Sequence, residues 1–159
     1  MLDSLSRSLS VEIPDQLQSL EQYLDWVLPQ VRPYSEDLRE EEFFLHTRWM
    51  QVTDKDDHHS AVLHIFLPGG EYLNSLNGDL KKGKWRILES SNGFIWERTG
   101  NVSELYDLAF LDSNFFILKK HGGGQKSDDK YFFMVKEGAA KGLSWRDAVE
   151  KLFNNYRTN

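Results

Sequence analysis

The apolar positions of this chain recur with two different periods. Residues 14–31, PDQLQSLEQYLDWVLPQV, place Leu17, Leu20, Leu24, Val27, Leu28 and Val31 three and four apart, the single stripe of an amphipathic helix. Pro14 suits a first turn, where its missing N–H costs nothing, and Pro29 with Pro33 marks a stop. From Glu42 the period falls to two. EFFLHTRWMQVTD (42–54) sets Phe43, Leu45, Thr47 and Trp49 on one face and Phe44, His46, Arg48 and Met50 on the other. Further alternating runs follow at SAVLHIFLP, GGEYLNSLNG, GKWRILE, GFIWERT, SELYDLAFLD, NFFILKKH and KYFFMVKE, separated by Gly, Asn, Asp and Ser. The three-and-four spacing returns in LSWRDAVEKLFNNYR. There Trp145, Val149, Leu152, Phe153 and Tyr156 form a stripe behind Ser144 as N-cap, with Asp147 three residues on.

This order predicts a mainly β chain: an antiparallel meander of about eight strands, closed into a barrel or a strongly bent sandwich, with one N-terminal and one C-terminal helix. No helix-length segment separates the strands, which disfavours parallel α/β folds. One domain is expected over residues 1–159, with 1–12 frayed, a helix at 14–31, the barrel at 42–136 and a helix at 144–156. Asn92-Gly93 is the strongest hairpin signal, since a type I′ turn needs positive φ at both central residues. A two-residue loop there pairs Leu88 with Glu97, leaving Trp85 and Trp96 on one face but not opposed.

The chain has 159 residues, 40% hydrophobic and 13% aromatic, enough for a core without disulfides or metal. It has no cysteine, which excludes disulfide scaffolds, thiol catalysis and cysteine-ligated metals. A net charge of −6 makes nucleic acid a poor partner. No apolar run approaches a membrane span, and the N-terminus lacks a secretory pattern, so a cytoplasmic location is expected. SEDLREEE (35–42) and KKGKWR (81–86) read as solvated charge runs.

Candidate chemistry is sparse. DKDDHH (54–59) holds possible metal ligands, but adjacent turn residues seldom converge, and it reads as a polar hairpin turn. No metal and no cofactor are expected. HGGG (121–124) is similar to the oxyanion loop of lipases, yet the chain has no GxSxG and no alternation of strands and helices. His46 and His64 lie within apolar strands, near one another if those strands pair about Asp56–Asp57. Turned inward they would contact a ligand or sense protons. Turned outward with Arg48 they would be solvated, an arrangement favoured by the cost of burying an unpaired guanidinium.

The aromatic stripes carry the functional expectation. Trp85 with Ile87, Phe94 with Trp96, Tyr106 with Leu108 and Phe110, and Tyr131 with Phe133 and Val135 each share a face by alternation. The runs Phe115–Leu118 and Tyr131–Met134 are apolar on both faces and need cover on both sides. A short helix, eight meandering strands and a closing helix are similar in outline to the lipocalin and fatty-acid-binding group. That resemblance implies a non-enzymatic binding barrel holding an apolar, lipid-like small molecule among Trp49, Trp85, Trp96, Phe110 and Phe133, with His46 and His64 as further ligand contacts. Three alternatives stand beside it. One is a protein-interaction module similar in plan to the pleckstrin-homology group, with Lys81–Arg86 as its anionic-ligand site. Another is a small β-barrel enzyme using His46 or His64. The last is a structural domain with a solid core. A homodimer is compatible with the binding barrel, the interaction module and the enzyme.

Overall fold

The computed structural model describes residues 12–55, 62–89, 92–100, 102–123 and 130–157. Eight antiparallel strands form a closed barrel in which each strand pairs with its neighbour in sequence and the last with the first. They are β1 (Trp49–Gln51), β2 (Val62–Leu67), β3 (Glu71–Leu76), β4 (Asp79–Ile87), β5 (Gly93–Thr99), β6 (Val102–Leu111), β7 (Phe115–Lys120) and β8 (Tyr131–Lys136). Helix α1 (Leu20–Val31) precedes them; a short α2 (Glu137–Ala140) and α3 (Trp145–Arg157) follow.

Helix α1 starts at Leu20, six residues later than the apolar stripe suggests. Ser19 and Gln22 form a reciprocal capping box, and the first helical N–H donates to the Asp54 carboxylate at 2.6 Å. These partners satisfy donors that a helix terminus otherwise leaves open. Pro29 lies inside the last turn without ending the helix, and Val31 beyond it is buried. At the other end of the chain Ser144 caps α3 as expected, accepting from the Asp147 N–H at 3.1 Å.

The strand expected at 42–54 is reduced to Trp49–Gln51. Residues 41–43 form a 3₁₀ turn, Leu45 makes one isolated bridge to Phe66, and His46 takes a left-handed φ of 67°. The chain turns there across one end of the barrel, and Phe44 and Leu38 drop fully buried into it. Ser35 and Glu36 stitch this segment to Leu111 of β6. The acidic run therefore keeps most of its carboxylates exposed while its Leu38 and the following Phe44 close the barrel.

The tight type I′ hairpin is at Asn77-Gly78, with φ of 52° and 92° and Leu76 paired to Asp79. At Asn92-Gly93 the connection is wider: Ile87 pairs with Phe94, and Asn92 supplies its carbonyl to Leu108 of β6. Trp85 thus stands directly opposite Trp96 rather than offset from it.

Two cores result. One fills the barrel with Phe44, Trp49, Phe66, Tyr72, Trp85, Phe94, Trp96, Tyr106, Phe116 and Phe132 among others. The second lies outside the wall, where α1 and α3 cover β6, β7 and β8 through Phe110, Phe115, Ile117, Phe133 and Val135. This explains the doubly apolar strands: alternate residues serve different cores. No helix among the described residues is long and apolar enough to cross a membrane.

Candidate functional site

The barrel's two ends differ in chemistry. At the closed end, Phe44 packs against Phe66, Trp85, Phe94 and Phe116 at centroid separations of 5.2–6.1 Å. The other end, where β1, β3, β5 and β7 run out, places polar groups on the inward face. Gln51, His64, Asn74, Arg98, Glu104, Tyr106 and Lys120 meet there around the rings of Tyr72, Trp96 and Phe132.

His64 is buried inside this end, 1% exposed, opposite Trp49 on β1. The expected centre of the β1–β2 pairing agrees with that register, which puts Trp49, not His46, beside His64. His46 is exposed at the left-handed turn and joins no site. Burial and the nearby Arg98 charge push the His64 imidazole down to about 3, so it is neutral. Its neighbours assign the tautomer. Burial raises the Tyr72 phenol far above its ordinary range, so Tyr72 O–H donates to His64 Nδ1 at 2.5 Å. Nε2–H then points to Gln51 Oε1 at 3.3 Å, while Asn74 donates to the Tyr72 oxygen at 3.1 Å.

A second network surrounds Arg98. Its Nη2 donates to Glu104 Oε1 at 2.8 Å and reaches the Tyr106 oxygen at 3.4 Å. Tyr106 O–H donates to the same Glu104 oxygen at 3.1 Å, and Lys120 takes the other at 2.6 Å. Burial would raise the Glu104 carboxyl, but the hydrogen bonds from Lys120 and Arg98 outweigh it and hold the group at about 2. Burial pushes the Tyr106 phenol up to about 12. The guanidinium lies over the rings of Trp96 and Phe132, 5.3 and 5.0 Å from their centroids. The β5–β6 register shifts by one between Trp96 and Thr99, so Glu97 and Arg98 stand against Ser103 alone. Such bulges re-aim a side chain at a site.

Of the residues expected to line a ligand, Trp49, Trp85, Trp96 and His64 do share the interior. Phe110 and Phe133 do not: both belong to the helix-covered core. Phe110 changes face because Ala109 is an extra residue in β6, where the register moves from Leu108↔Leu118 to Phe110↔Ile117. Phe133 keeps its expected partners Tyr131 and Val135, but that face is the outer one. Trp49 and Trp85 spend their indole N–H groups on the backbone carbonyls of Phe44 and Leu67, at 3.1 and 2.9 Å. Trp96 has no such partner.

Tyr72, Arg98 and Glu104 were not singled out in the sequence, and Tyr106 and Phe132 entered only as members of aromatic runs. A signal for Arg98 existed: once Trp96 is placed inward, alternation brings Arg98 inward two residues later. Residues 56–59 of the polar run DKDDHH lie outside the described residues. Among the described residues no three His, Asp or Glu side chains converge as a metal would require.

A groove of about 890 Å³ runs along the outer wall of β4 and β5. Its charges are mixed, Arg39, Lys84 and Arg86 with Glu41, Glu89 and Glu97, and Lys84 lies opposite Glu97 in register. It takes in Lys84, Trp85 and Arg86 of the run expected as an anionic-ligand site, but not Lys81 or Lys82. Comparison of the chain with protein-family models, with curated proteins and with solved structures gives no match in any of the three.

Proposed function

We propose that the chain is a non-enzymatic binding protein that takes a small, largely apolar molecule into the polar end of its barrel, among His64, Tyr72, Trp96, Arg98, Tyr106 and Phe132. The observation that carries this reading is the asymmetry of the interior. Both ends are packed ring on ring, at 5.2–6.1 Å around Phe44 and 4.8–5.8 Å among His64, Tyr72, Trp96 and Phe132, but the closed end is apolar. The other end sets aromatic faces beside fixed polar groups, with the Arg98, Glu104 and Lys120 side chains 31%, 21% and 20% exposed. Apolar walls with a few oriented polar groups are the usual make-up of a small-molecule site. Tyr72 does donate to His64 Nδ1, but burial holds that imidazole down at about 3 and raises the phenol far above its ordinary range, so the pair is poised as neither base nor nucleophile.

The test is to extract the purified protein with organic solvent, identify any released molecule by mass spectrometry, and then follow tryptophan emission while adding it. The expected result is a released molecule whose re-addition quenches Trp96 in wild type and not in Trp96→Phe. An empty extract, together with unchanged emission against neutral aromatic and aliphatic alcohols at millimolar concentration, removes the reading.

A further inference from the structure

We infer that the polar end of the barrel is a seat for a carboxylate, held by the indole N–H of Trp96 and the Nε–H of Arg98; this rests on the binding reading above and names the chemical class of its ligand. Two buried side-chain donors among the described residues have no acceptor: Trp96 Nε1 and Arg98 Nε. Trp96 is 0% exposed. A buried donor left unmade is expensive, about 1–3 kcal/mol, and native chains seldom keep one without a reason.

The two donors belong to one stacked unit. They lie two residues apart on one strand, at the bulge, with the guanidinium 5.3 Å from the indole centroid. Arg98 is held rather than free to swing: Glu104 takes its Nη2, and the Phe132 ring, 4.8 Å from that of Trp96, lies 5.0 Å from the guanidinium on the same side. The nearby hydroxyls are committed. Tyr72 donates to His64 and accepts from Asn74, while Tyr106 donates to Glu104. None of them can turn to answer Trp96 without losing its own partner.

The missing group is therefore an acceptor. Two N–H donors, one of them cationic, suit a carboxylate, whose hydrogen bonds to charged donors are the strong ones. Glu104 divides its two oxygens between Arg98 and Lys120, so it answers the Arg98 charge only in part. A cation finds no place here, since both unmet groups are donors. The body of the ligand would lie against Trp96 and Phe132, which favours a flat apolar frame.

The experiment uses two matched pairs on the full chain: 1-naphthoate against 1-naphthylmethanol, and decanoate against decanol. Binding is read by calorimetry and by the Trp96 indole N–H resonance in a ¹⁵N spectrum. The expected result is that an acid binds about tenfold or more tightly than its alcohol, in line with a charged hydrogen bond, and moves the Trp96 indole proton downfield while the alcohol does not. The preference should collapse in Trp96→Phe and in Arg98→Lys, which keeps the charge but lacks Nε. Acids and alcohols binding equally, or an acid preference that survives both substitutions, would overturn the carboxylate seat and leave the binding reading standing. No binding by any of the four, with no indole shift in wild type, removes both. The indole resonance is read on wild type, so the outcome does not depend on either variant folding.

Discussion

The Phe44 ring stacks on Phe116 inside the barrel, 5.2 Å between centroids, although it enters from a 3₁₀ turn that belongs to no strand. It also meets Phe66, Trp85 and Phe94 edge-on. Phe44→Ala should therefore cost about 3–5 kcal/mol, the range for a buried phenylalanine. Urea unfolding would measure it. A loss under 1 kcal/mol would mean that the closed end can collapse around the gap.

Gly83 sits opposite Tyr72 on the inward face, and an added Cβ would come within 2.1 Å of the Glu97 carbonyl oxygen and 2.8 Å of the Tyr72 ring. The first contact is backbone and cannot rotate away. Gly83→Ala should cost about 3 kcal/mol, at the upper end of overpacking. Since Tyr72 carries the hydrogen bond to His64, the same variant should disturb the polar end, seen as a shifted His64 ring resonance.

His64 makes stability depend on pH. Its ordinary value is 6.5 and its folded value about 3, so between these the unfolded chain binds the extra proton. Stability is full above the ordinary value and falls as pH drops towards the folded one. Glu104, held at about 2 against 4.5, adds a further loss only below that carboxyl value. Between pH 6.5 and 4.5 the wild type should lose about 2 kcal/mol more than His64→Gln. Parallel curves for the two proteins in chemical denaturation would show that His64 is not responsible.

Ser144 caps α3 through its side chain, and α3 carries four buried residues of the outer core, Ala148, Val149, Leu152 and Phe153. Ser144→Ala should cost about 1 kcal/mol, and Ser144→Asp should restore it. Thermal unfolding of the three proteins side by side is sufficient.

Much of this architecture is written in the alternation of apolar and polar residues. Seven strands and the closing helix sit where period and turn residues place them. What alternation does not encode is which face turns inward when both are apolar. Phe115–Leu118 and Tyr131–Val135 supply alternate residues to the two cores, and nothing local distinguishes them. Nor does it encode a bulge. Ala109 adds one residue to β6 without any glycine or proline to announce it, and so Phe110 changes sides. The first strand fails for another reason: Phe44 gains more by entering the barrel than by lying on its wall. The candidate site was half visible, because tryptophans attract notice while the arginine two positions further on reads as an ordinary surface charge.

The barrel is closed by a strand of three residues. β1 pairs with β2 through Trp49 and Met50 and with β8 through Trp49, Met50 and Gln51, whereas the neighbouring pairs elsewhere are longer. The cylinder is thus a long sheet fastened by a narrow clasp, and the clasp ends at Gln51, the partner of His64. Local opening follows the weakest hydrogen-bonded seam. Amide protons of β1 should exchange with solvent well before those of β6 and β7. A molecule bound beside His64 would slow that exchange, so occupancy of the interior can be read at the seam without seeing the ligand at all.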